Sequence, residues 1–138
     1  MIHPALERIT RCSRYGSRLL AAQPHLADTV AGLLDRACTR EAMQAFLSEP
    51  PCADETALDQ RLRQLRQRVW LITTARDLAG TADLAEVTVA YSTLAEVCIH
   101  TALDFHHAAL AGRHGEIAAD REGFRADGRA PVGKLGGG

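Results

Sequence analysis

The stretch Leu58–Ile72, LDQRLRQLRQRVWLI, decides the fold. Its apolar positions Leu58, Leu62, Leu65, Val69 and Ile72 step by four, three, four and three residues, the stripe by which a helix faces a bundle. A strand would alternate every second residue, and β-branched alternation is almost absent from this chain. Asp54 can cap this helix, since its carboxylate accepts from the free N–H groups of the first turn. Arg61, Arg63, Arg66 and Arg68 fall on the polar flanks of the stripe. Their planar guanidinium forks can grip a phosphate, a carboxylate surface or a neighbouring domain.

The same three-and-four spacing extends in both directions. Residues 5–22, ALERITRCSRYGSRLLAA, form a first candidate helix that ends before Pro24. Pro24 opens a second, carrying Leu26, Val30, Leu33, Leu34 and Ala37. Thr39 caps a third that buries Met43, Phe46 and Leu47 and stops at Pro50-Pro51. After the long helix, Gly80 interrupts, and Thr81 with Asp83 marks the start of a fifth helix. Its apolar positions are Leu84, Val87, Tyr91, Leu94, Cys98 and Phe105, with an end near Gly112. The prediction is an all-α bundle of about five helices over residues 1–115. Residues 116–138, polar and glycine-rich, are expected to be poorly ordered.

The 138 residues are enough for one domain with its own core. Lys plus Arg (16) nearly balances Asp plus Glu (17), so no global field draws the chain to nucleic acid or an anionic membrane. The arginine cluster also lacks the interleaved aromatics of a nucleic-acid surface, with only Trp70 nearby. No apolar run reaches the roughly 18 residues of a membrane helix, and MIHPALERIT lacks the apolar centre of a signal peptide. A cytoplasmic protein is expected. Cys12, Cys38, Cys52 and Cys98 are scattered without a CxxC pair and read as reduced thiols.

Two further patterns carry possible chemistry. Glu96, His100, Asp104 and His107 share one face of the fifth helix, as half of a bundle metal site would. That face lies off the apolar stripe, no second helix offers a matching set, and a solvated surface is the simpler reading. GRAPVGK, Gly128–Lys134, follows a phosphate-loop pattern, but Leu135 stands where the magnesium-binding hydroxyl belongs. Asp77, beside Arg76 and close to the Gly80 turn, is a polar candidate whose simpler role is a local salt bridge.

Leu62–Gly115, with its arginine-rich helix, the block RDLAGTADL and the following LAEVCIHTALD, resembles the helical region preceding the transferase core of bifunctional glutamine synthetase adenylyltransferases. SRYGSRLLAAQPHLADTV is similar to an early helix of that family, and VGKLGGG is similar to its GMGKLGG segment. The resemblance runs from about Ser13 to Gly138. It implies a nucleotidyltransferase fold in which Gly133, Lys134, Leu135, Gly136 and Gly137 approach the triphosphate of ATP. It also implies Mg2+, glutamine synthetase and a PII-type signal protein as ligands and partners of the complete enzyme.

The chain departs from that family at the metal site. Adenylyl transfer needs acidic oxygen ligands for magnesium, and no Asp-x-Asp follows the glycines here. The expectation is therefore a fragment of one transferase unit, with residues 116–138 a linker and a truncated start of the transferase domain, inactive alone. Its retained role would be contact through Arg61, Arg63, Arg66, Arg68, Arg76 and Asp77. The alternatives are a free-standing helical interaction module, or a small metal-binding bundle using His100, Asp104 and His107.

Overall fold

The computed structural model describes residues 2–126, with side chains for residues 2–112. All regular structure among them is helical: α1 Pro4–Cys12, α2 Arg14–Ala22, α3 Pro24–Ala31, α4 Arg40–Ser48, α5 Glu55–Leu78 and α6 Leu84–Ala126. The chain divides into two units, Met1–Thr101 and Ala102–Gly138, and α6 contributes to both. No helix among the described residues is long and apolar enough to cross a membrane.

The first expected helix is two helices, because Ser13 takes an extended backbone with φ −137° and ψ 122°. Its own N–H still donates to the Ile9 carbonyl at 2.9 Å and ends α1. Its hydroxyl oxygen accepts from the Gly16 N–H at 3.0 Å and starts α2. One serine thus closes one helix and caps the next. The reversal presses α2 against α1 so closely that a Cβ on Gly16 would lie 2.2 Å from Ile9 Cγ2 and 3.3 Å from the Trp70 ring.

α3 also stops short of its expected end. The helix finishes at Ala31, and Leu33 and Leu34 belong to an irregular connection that leads to α4. The caps at Thr39 and Asp54 form as expected: Ala42 N–H donates to Thr39 Oγ1 at 3.2 Å, and Ala57 N–H to Asp54 Oδ1 at 2.7 Å.

α5 is the centre of the first unit, with α1, α3 and α4 packed directly against it. All five positions of its predicted stripe, Leu58, Leu62, Leu65, Val69 and Ile72, are buried. Towards its C-terminal end Leu71, Thr73, Ala75 and Arg76 are buried as well. Leu71, Ile72 and Ala75 join Leu6 and Ile9 of α1, Leu19 and Leu20 of α2, and Leu26 and Val30 of α3 in one apolar cluster. Trp70 packs against this cluster, and Tyr15 meets its ring edge-on with centroids 4.9 Å apart.

The buried face of α6 in the first unit is Ala90, Leu94 and Val97, with Val87 half-buried beside them. This corrects the stripe read from the sequence. Leu84 is 81% exposed, and Tyr91 lies on the flank at 37%. Ala90 is not marked by the periodicity of large apolar residues, yet it is 4% exposed. In the second unit the backbone of α6 runs through Gly112 to Ala126. Gly112 is therefore an interior helical position and not a stop, which agrees with its αR-compatible backbone.

Gly16 provides a direct check on the α1–α2 packing. Gly16→Ala is expected to lower stability by about 1–3 kcal/mol, because buried Ile9 is β-branched and cannot swing its Cγ2 aside. Urea unfolding followed by circular dichroism measures it, with Gly112→Ala, where the added methyl meets nothing within 4 Å, as the neutral or stabilising control.

Candidate functional site

The turn between α5 and α6 is built by RDLAGTADLAE, Arg76–Glu86. α5 ends in a Schellman motif: the Gly80 N–H donates to the Asp77 carbonyl at 3.0 Å and the Thr81 N–H to the Arg76 carbonyl at 2.9 Å. This geometry places Gly80 at φ +75°, which glycine adopts without a Cβ penalty. The Thr81 hydroxyl donates to the Arg76 carbonyl at 3.1 Å. Thr81 therefore completes α5, and the capping role expected of it falls to Asp83, whose Oδ1 accepts from the Glu86 N–H at 2.8 Å.

Inside this turn lies the guanidinium of Arg76, with only 10% of its side chain exposed. Its Nε donates to Glu86 Oε2 at 2.7 Å and Nη2 to Glu86 Oε1 at 2.9 Å, a two-pronged pair. Nη1 donates to the Leu34 carbonyl at 3.0 Å and Nη2 to the Thr81 carbonyl at 3.2 Å. One side chain joins α5, the start of α6 and the connection after α3. The hydrogen bonds from Arg76 hold the Glu86 carboxyl below the usual carboxylate range, outweighing burial, which pushes it up. The same contact raises Arg76.

The other arginines of α5 have different surroundings. Arg61 Nη1 donates to the carbonyls of Phe46 at 3.1 Å and Pro50 at 2.9 Å, tying the end of α4 to α5. Arg68 lies over the Phe46 ring, 5.0 Å from its centroid. Arg63 and Arg66 are exposed, as is Asp77. The six candidate contact residues are thus not one surface: Arg61 and Arg76 are engaged by the fold, whereas Arg63, Arg66 and Asp77 face solvent.

Glu96, on the face considered for a metal, is paired with Arg40 of α4. His100 is exposed in the first unit, and Asp104 and His107 are exposed in the second. No three His, Cys, Asp or Glu side chains come together among the described residues in a way that could hold a metal ion. Gly133, Lys134, Leu135, Gly136 and Gly137 lie outside the described residues. The free cysteines differ in exposure: Cys12 is exposed, while Cys38, Cys52 and Cys98 are half-buried.

A groove of about 660 Å3 opens between α4, α5 and the connection that precedes α4. Met43, Leu65, Val69 and Ile72 are its buried lining, and Arg68 and Phe46 stand at its wall. Nothing in the sequence announces it, because it depends on how α4 and the connection before it pack against α5, which spacing does not encode. Glu86 was likewise missed as the partner of Arg76, although its place in the first turn of α6 was a signal.

Fold and site together define a helical segment braced through one buried arginine. The glutamate-ammonia ligase adenylyltransferase family matches residues 4–138, and the chain belongs to that family. It is 40% identical over 131 residues to a bifunctional glutamine synthetase adenylyltransferase/adenylyl-removing enzyme of Nitrosomonas eutropha, covering 91% of this chain and 14% of that protein. The enzyme of the same description from Burkholderia mallei is 40% identical over 132 residues, with the same coverage. That from Thioalkalivibrio sulfidiphilus is 38% identical over 123 residues, covering 86% of this chain and 13% of its own length. The chain therefore spans about one-seventh of the curated relatives it matches. No solved structure matches it.

The clasp yields two expected outcomes. Arg76→Ala should destabilise the chain by about 3 kcal/mol, since it leaves a carboxylate and two main-chain carbonyls without this donor. Because the carboxyl of Glu86 is lowered in the fold, its contribution is complete above the unfolded carboxylate pKa and is lost as pH falls through the folded value. Thermal melts from about pH 6 to pH 3 should therefore show a steeper acid loss in the unaltered chain than in Glu86→Gln.

Proposed function

We propose that this chain is a helical scaffold segment of a bifunctional glutamine synthetase adenylyltransferase/adenylyl-removing enzyme. In that reading it supports a transferase unit and carries no chemistry of its own. The family match over residues 4–138 carries the proposal. The relatives are named for attaching AMP to glutamine synthetase and removing it. ATP as the AMP donor, Mg2+, and a PII-type signal protein belong to the same proposal for the complete enzyme.

The described residues support a structural part in this activity. They bring no carboxylate cluster together for a divalent cation, and the 138 residues contain no Asp-x-Asp, so no step of adenylyl transfer is assigned to them. What they do is fix geometry: the Arg76 clasp ties the first turn of α6 to the end of α5 and to the connection after α3. Gly133–Gly137 are proposed as the start of the transferase core, with residues 116–138 as the link to it. Arg63, Arg66 and Asp77 are proposed as contacts to the remainder of the enzyme. Asp77 sits in the last turn of α5, where the helix dipole disfavours a carboxylate, so an external cation is the partner it suits.

A segment exchange tests the reading. The matching region of the Nitrosomonas eutropha enzyme is replaced by residues 4–138 of this chain, and AMP incorporation into glutamine synthetase is measured. Retained incorporation is expected, and a folded but inactive exchange product would overturn the proposal. The isolated chain should incorporate no AMP and should bind ATP with magnesium no more tightly than about millimolar by calorimetry, roughly −4 kcal/mol.

A further inference from the structure

We propose that the groove between α4 and α5 is a binding site for a small amphipathic acid, one with an apolar body and a single carboxylate. At about 660 Å3 it has the size of a small-molecule site. Met43, Leu65, Val69 and Ile72 are each nearly inaccessible and supply a sealed apolar bed. An apolar chain lying on them leaves water without disturbing the core beneath.

The choice of a carboxylate comes from Arg68. Arg61 and Arg76, on the same helix, have main-chain or carboxylate acceptors within the fold. Arg68 has none among the described residues, although it is half-buried and lines the groove. The Phe46 ring lies under its guanidinium, 5.0 Å from ring centroid to Cζ, and the aromatic contact uses none of its N–H donors, which suit a planar anion. Arg36, the other cation of the lining, is already paired with Asp35 at 3.2 Å. Glu49 stands on the exposed rim and disfavours a second negative charge. One anionic group on an apolar body satisfies all three residues.

Cys38 also lines the groove and is half-buried, whereas Cys12 is exposed elsewhere, so the two thiols report on occupancy with an internal reference. The 138-residue chain is titrated with sodium decanoate below its micellar range, and alkylation of each cysteine is followed by site-resolved mass spectrometry. The expected result is a saturable slowing at Cys38 with Cys12 unchanged. Arg68→Gln should raise the half-saturating concentration about tenfold, and decanol should be weaker than decanoate by a similar factor. Ala42→Trp, which fills the groove from an exposed position and leaves the core alone, should abolish protection. Absence of protection of Cys38, or equal protection by decanoate and decanol with no effect of Arg68→Gln, overturns the proposal.

Discussion

The guanidinium of Arg76 is the point on which this helical arrangement depends. A charge with so little access to water is tolerated only when its donors meet acceptors of matching geometry. Here those acceptors come from three places in the chain: the carboxylate of Glu86, the carbonyl of Leu34 and the carbonyl of Thr81. Burying the arginine therefore obliges the connection after α3, the Gly80 turn and the first turn of α6 to adopt one mutual position. Apolar burial along α5 provides the driving force for collapse, but it is non-directional. The arginine adds the direction.

The helix that carries it shows how one residue type serves several ends. Arg61 fastens the last turn of α4, Arg68 rests on an aromatic ring, and Arg63 and Arg66 remain in solvent. The Schellman end of α5 adds a further arginine from outside, since Arg8 Nη1 of α1 donates to the Leu78 carbonyl at 2.7 Å. A helix end that is satisfied by main chain and side chain together has few polar groups left to solvate. This helps explain why the C-terminal half of α5 can be surrounded by other elements.

Much of this was legible in the sequence because it obeys short-range rules. The stripe of α5, the caps at Thr39 and Asp54 and the breaks at Pro24 and Gly80 follow from spacing and side-chain chemistry alone. The break at Ser13 was not, since a serine inside an apolar-periodic run reads as a tolerated helical residue. The close approach of Gly16 to Ile9 and Trp70 that accompanies the break is a tertiary contact that spacing does not reveal. The buried face of α6 was misjudged where Leu84 and Tyr91 seemed the natural contacts and Ala90 did the packing. The Arg76–Glu86 pair spans ten residues and a turn, beyond the reach of helical periodicity. The RDLAGTADL block carries the family resemblance, and its physical sense is a helix stop wrapped around an inward arginine.

One bond of the clasp runs to the main chain at Leu34, and this has a consequence for how such a segment diverges. Every amino acid presents the same carbonyl oxygen, so exchanging the side chain at 34 leaves that bond intact as long as the backbone keeps its path. Inserting or deleting a residue between α3 and α4 would instead displace the oxygen by several ångströms. For that one bond, the length of the connection matters more than which side chain stands at 34, although Leu33, Leu34 and Cys38 also pack against the core.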